Sequence, residues 1–125
     1  MTHLRTLKVV NFAFGAYTFV VGTLFLLFFV LPGLWVWVDG ESEGLLFVLA
    51  GLLGFLLVGG MGLLHVFVGY LVGSGRGRVA QTLLAATQLL SFPLGTAYAC
   101  YALWVCWVDS ESGARFDAVL KPPVT

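Results

Sequence analysis

Residues 9–38 read VVNFAFGAYTFVVGTLFLLFFVLPGLWVWV, an apolar block holding no Lys, Arg, Asp or Glu. Two further blocks, 45–72 and 79–108, share that property; the ionisable groups inside the three are His65, the thiols of Cys100 and Cys106, and a few tyrosines. About 20 apolar residues suffice to cross a bilayer, so each block is long enough to do so. A segment surrounded by lipid must satisfy its own backbone groups, and the alternation of a barrel strand is absent, so the blocks are expected to be helices. The expected fold class is all-α integral membrane. It is one transmembrane domain, 1–125, built as a bundle of three long transmembrane helices at 9–38, 45–72 and 79–108, with a polar tail at 109–125. At 1.5 Å per residue each helix is roughly 42–45 Å long, which exceeds the roughly 30 Å hydrocarbon core, so the helices must tilt, kink or rise into the headgroups.

Composition points the same way. The hydrophobic fraction is 60% and charged residues make up 10%, far from the balance of a soluble domain. A formal net charge of zero gives no electrostatic case for nucleic acid. No cleavable signal peptide is expected, since the first block is far longer than a typical h-region and no small-residue cleavage site follows it. No lipidation motif is read at either end, where Thr2 stands second and Pro122-Pro123-Val124-Thr125 close the sequence.

Basic residues orient the bundle. Arg5 and Lys8 precede the first block, Arg76 and Arg78 lie between the second and third, and the turn from Asp39 to Gly44 is acidic. The positive-inside rule then puts the N-terminus and the Arg turn in the cytoplasm and the acidic turn outside. The segment 34–44, LWVWVDGESEG, closely echoes 103–113, LWVCWVDSESG. Both are Trp-rich exits before an acidic turn, and tryptophan favours the membrane interface. If the first and third helices run parallel, Trp35, Trp37, Trp104 and Trp107 form one outer interfacial belt, and the tail lies outside.

Pro93 interrupts the third block. Proline removes a backbone donor and clashes with the carbonyl four residues back, so a single helix kinked at Pro93 is expected. The alternative is a four-helix reading with a Pro93–Gly95 hairpin, which returns the tail to the cytoplasm and gathers all Lys and Arg inside. Against it, each arm would be only about 14–15 residues, or roughly 21 Å, too short to span.

Small residues recur on single faces at 100° per residue: Asn11, Gly15, Thr18 and Gly22; Gly51, Gly54, Gly62, His65 and Gly69; Thr87, Ser91, Gly95 and Ala99. Such stripes let helix backbones approach closely in lipid, so Gly15, Gly22, Gly54, Gly62, Gly69, Ser91 and Gly95 are expected to be helix-packing positions. Phe14, Phe19 and Phe28 lie off the first stripe and are expected to meet lipid. Counted from the block ends, Thr18, His65 and Gln88 share one depth, so they form a candidate polar layer. An ionisable residue within the membrane is a functional hypothesis by default. The plainer reading is a neutral histidine hydrogen-bonded to Gln88 or Thr87, clamping two helices. No carboxylate or second histidine lies at that depth, so no proton relay, metal site or catalytic set is expected, and no cofactor. The two cysteines, six positions apart, suit neither a redox pair nor a metal and read as small buried hydrophobes. In the tail, Phe116, Val119 and Leu120 are spaced for a short helix that Ser110 or Ser112 would cap and Pro122-Pro123 would end.

The segment FPLGTA at 92–97, followed by YALWV at 101–105, resembles a set of small multi-pass bacterial membrane proteins in which a basic turn leads into such a helix. The match covers the last third of the chain, and Tyr98 and Cys100 depart from the small or aliphatic residues expected after Thr96-Ala97. The resemblance implies a bacterial inner membrane and no catalytic chemistry. The expected function is therefore that of a non-enzymatic polytopic inner-membrane protein acting through helix–helix association, as a homo-oligomer or an accessory subunit of a larger membrane complex, with the lipid bilayer as its main partner. The alternative is a small homo-oligomeric pore lined by Thr18, His65 and Gln88.

Overall fold

The computed structural model describes residues 3–91 and 93–120, and it is helical with no strand among the described residues. Helix α1 is His3–Val38. It begins six residues before the apolar block because Leu4, Arg5, Leu7 and Lys8 are all good helix formers. After a turn at Gly40 (φ 94°), α2 (Glu43–Gly54) passes through a π-helical turn (Phe55–Gly59) into α3 (Gly60–Gly73). Then follow α4 (Arg78–Gln88), α5 (Leu94–Trp107) and α6 (Ser110–Leu120). Two helical runs are long and apolar enough to cross a membrane, His3–Val38 and Glu43–Gly73. Pro32 lies inside the first of them.

The chain divides into two compact units, residues 13–64 and residues 1–12 with 65–125. In the unit 13–64, α1 and the run from Glu43 pack antiparallel, and every buried residue is a glycine: Gly15, Gly22, Gly33, Gly44, Gly51, Gly59 and Gly62. A Cβ on Gly22 would stand 2.7 Å from the Gly59 amide nitrogen, and one on Gly62 would stand 2.7 Å from the Gly15 carbonyl oxygen. Gly54 faces the ring of Phe25, and a Cβ on Gly33 would stand 2.9 Å from the Gly44 carbonyl oxygen. The larger side chains point away: Phe28 is 72% exposed and Leu56 67%. Phe19, half-exposed, also meets Phe55 edge to face. Only 11% and 17% of the two most apolar windows is buried, whereas the core helix of a soluble protein would be mostly buried. Each large apolar side chain left in water forgoes roughly 1.5–3 kcal/mol, which an apolar surrounding would recover.

The other unit corrects the expected third helix. Residues 79–108 are not one kinked helix, because α4 and α5 double back on each other. The Arg78 Nε donates to the Cys106 carbonyl at 2.7 Å, and the Trp107 Nε1 donates to the Thr82 hydroxyl at 2.9 Å. Pro93 explains the break. A continuous helix would bond the nitrogen of residue 93 to the Leu89 carbonyl, and proline has no proton there. The Thr96 hydroxyl donates to that carbonyl instead, at 2.8 Å. Gly95 then closes against the Gln88 carbonyl so tightly that a Cβ would lie 2.6 Å from its oxygen. Gly95 and the exposed Ser91 therefore serve the turn rather than an interhelical stripe.

Helix α6 lies against the Arg turn, which corrects the expected outer tail. Arg78 approaches Asp117 at 3.6 Å and its guanidinium stacks 4.0 Å over Trp107, while a Cβ on Gly75 would meet Val119 at 3.2 Å. Phe116 is buried, but Val119 and Leu120 are exposed. The cap is Asp109, not Ser110 or Ser112: the Ser112 backbone N–H and hydroxyl both donate to its carboxylate. The Ser112 hydroxyl, above all, holds the Asp109 carboxyl below its ordinary value. Pro122-Pro123 lie outside the described residues.

Trp104 meets His3 edge-on at 4.9 Å and Trp107 lies on Arg78, so both stand beside the basic residues. Trp35 and Trp37 belong to the last turn of α1. Cys106 is buried as expected, but Cys100 is exposed.

Candidate functional site

Asn11, His65, Gln81, Gln88 and Tyr98 form a buried polar cluster on α1, α3, α4 and α5. The first three are 0% exposed, and Gln88 is 9% exposed. Local helix geometry sets them facing. Gln81 and Gln88 are seven apart on α4, hence on one face, with Leu84 and Ala85 buried between them. Asn11 is carried two turns into α1, where Gly69 of α3 comes so close that a Cβ there would stand 2.7 Å from the Asn11 Cβ.

The hydrogen bonds close a ring. The Asn11 Nδ2 donates to the Gln81 Oε1 at 2.8 Å, the Gln81 Nε2 donates to the Tyr98 hydroxyl at 2.7 Å, and that hydroxyl donates to the Asn11 Oδ1 at 2.6 Å. The second proton of the Asn11 amide goes to the Leu7 carbonyl at 3.0 Å. His65 joins from the side. An amide nitrogen only donates, so the Gln88 Nε2 donates to the His65 Nε2 across 3.1 Å. The ring proton then sits on Nδ1, which donates to the Asn11 Oδ1 across 3.3 Å. All four hydrogen-bonding positions of Asn11 are thereby used. Tyr98 also meets the His65 ring edge to face at 5.2 Å. Among the described residues, no buried side-chain N or O lacks a partner.

Of the expected layer, His65 and Gln88 come together. The Thr18 hydroxyl donates to the Phe14 carbonyl in its own helix. Sequence reading missed Gln81 and Tyr98 and placed Asn11 only in a small-residue stripe. The signal was present: Asn11 and Gln81 are two of the few amide side chains within the apolar blocks.

Chemically, the cluster is a saturated clamp. It joins four helices, and its buried side-chain nitrogens and oxygens all have hydrogen-bond partners. No group of three His, Cys, Asp or Glu residues placed to hold a metal ion occurs among the described residues. Comparison with protein-family models, with curated proteins and with solved structures finds no match to this chain.

Proposed function

We propose that the chain is a multi-pass protein of a bacterial inner membrane that works by helix–helix association, as a homo-oligomer or an accessory subunit of a larger membrane complex, without catalysis of its own. The observation that carries the membrane reading is the pair of long apolar helical runs, His3–Val38 and Glu43–Gly73, whose most apolar windows are only 11% and 17% buried. The glycine seam in 13–64 supports the same reading, since close backbone approach is how helices associate where lipid removes the hydrophobic drive. The saturated clamp supports a structural role over a pore, because His65 and Gln88 face partners within the fold.

Two helices span in this reading, and α4–α5 forms a hairpin that dips into the membrane and returns. Its arms of 11 and 14 residues are roughly 16 and 21 Å long, too short to cross. Arg5, Lys8, Arg76, Arg78 and Arg115 then share the cytoplasmic side, as the positive-inside rule favours.

Single cysteines at Ser42, Ser74 and Ala118, in a background of Cys100→Ala and Cys106→Ala, test the topology with an impermeant thiol reagent. Ser42→Cys is expected to label from outside, and Ser74→Cys and Ala118→Cys only after the membrane is opened. Outside labelling of Ala118→Cys would mean that α5 crosses and would sink the hairpin topology. Association is tested by the mass of the particle extracted in native lipid. A mass above that of one chain is expected, and a particle of one chain alone overturns the association reading.

A further inference from the structure

Between the Arg turn and α6 lies a cavity of about 480 Å³, lined by Arg76, Arg78 and Val79 on one side and by Phe116, Val119 and Leu120 on the other. The turn keeps its shape through Gly75 and Gly77, both at positive φ (73° and 75°). A Cβ on Gly77 would also press on the Leu71 side chain at 2.9 Å. Glycine is required there, and it leaves the cavity floor as bare backbone.

The lining is mostly apolar, with two arginines at one side. Asp117 already offsets part of the Arg78 charge, and the Arg78 Nε is committed to the Cys106 carbonyl. Arg76 is exposed at the rim and has no such role in the fold. From Val79 at the cavity edge, the exposed apolar face of α4 continues one turn on to Leu83, and Leu90 stands exposed in the turn that follows α4. A small polar anion would use the arginines and leave the apolar wall and face unmatched. An acidic peptide would meet the same mismatch. An amphiphile with an anionic head and a hydrocarbon tail matches both.

We propose that this cavity binds an anionic phospholipid, with the headgroup phosphate held at Arg76 and Arg78 and an acyl chain laid along Val79, Leu83 and Leu90. The site rests on the membrane reading above, because it takes its ligand from the bilayer. Basic pockets at the cytoplasmic face of membrane helices are suited to such headgroups. The partial positive charge at the start of α4 adds to the attraction.

The test uses the full chain in phosphatidylcholine bilayers with and without phosphatidylglycerol. The lipid retained on the protein after gentle extraction is measured by native mass spectrometry. Wild type is expected to retain phosphatidylglycerol in preference to phosphatidylcholine. Arg76→Gln is expected to weaken that preference roughly five-fold with unchanged helicity, as loss of one surface cation implies. Leu83→Ser is expected to weaken it as well, and Arg5→Gln, basic but outside the cavity, to leave it unchanged. Four results overturn the proposal: no preference in the wild type, an equal effect of Arg5→Gln, no effect of Arg76→Gln, or displacement of the lipid by inorganic phosphate at millimolar concentration. If the wild type is retained in phosphatidylcholine bilayers without a preference, only the lipid site falls. If it is not retained in bilayers at all, the membrane reading falls with it.

Discussion

Gly62→Leu is expected to separate the two helices of the 13–64 unit, while Gly60→Leu, two positions away, is expected to leave them packed. The two glycines belong to the same helix and the same apolar surroundings, and they differ in what stands over them. A Cβ at residue 62 would lie 2.7 Å from the Gly15 oxygen and 2.8 Å from the Phe19 nitrogen; at residue 60 it would meet nothing within 4 Å. Overpacking a core costs roughly 1–3 kcal/mol when side chains can move aside. Here the obstacles are backbone atoms of α1, which can only move by moving the helix. That displacement also opens the contact of Gly22 with Gly59, so the cost should exceed about 3 kcal/mol. Gly60→Leu should be neutral or slightly stabilising, because leucine is the better helix former by several tenths of a kcal/mol or more. Phe28→Leu, at a site 72% exposed, should also change little. Thermal unfolding of the purified variants in one detergent checks this, and equal midpoints for Gly60→Leu and Gly62→Leu would remove the seam.

The two long helices were legible in the sequence because a charge-free run of that length has few other ways to exist. The seam faces were legible too, since 100° per residue puts Gly15 and Gly22 on one side. Register between helices was not. Counting depth from block ends paired His65 with Thr18, yet His65 hydrogen-bonds Asn11, seven residues nearer the start of α1. The count failed because α1 starts at His3, so the edge of the apolar block is not the edge of the helix.

The third block misled for a different reason. Its apolar content equals that of a span, and composition cannot distinguish one long helix from two short ones folded together. The deciding bond is local: the Thr96 hydroxyl takes the carbonyl that Pro93 leaves without a donor. The same turn puts the 103–108 exit beside Arg78, where the echo alone set it away from the Arg turn. The two Trp-rich exits share interfacial chemistry, but chemistry alone does not say on which side of a membrane an exit lies.

Loss of Asn11 is expected to be the most damaging single change in the polar cluster, more so than loss of His65. Asn11 engages Leu7, Gln81, Tyr98 and His65, whereas His65 engages Asn11 and Gln88. Asn11→Leu would remove the donor to the Gln81 oxygen and the acceptor of both the Tyr98 O–H and the His65 Nδ1–H in a buried site. Each such group costs roughly 1–3 kcal/mol. Rearrangement will recover part of this, since interhelical hydrogen bonds in membranes average about 0.6 kcal/mol with a maximum near 1.7. A net loss of about 2–4 kcal/mol is expected for Asn11→Leu, against about 1 kcal/mol for His65→Ala. Double-mutant cycles separate ring from branch. Asn11→Ala with Tyr98→Phe should show the larger coupling, because those two share a 2.6 Å bond and a common partner in Gln81. His65→Ala with Gln88→Ala should show a smaller coupling, above zero. If the second coupling were zero while His65→Ala abolished an ion flux or a turnover, His65 would be acting on something other than its neighbours, and the clamp would give way to a pore or a catalyst.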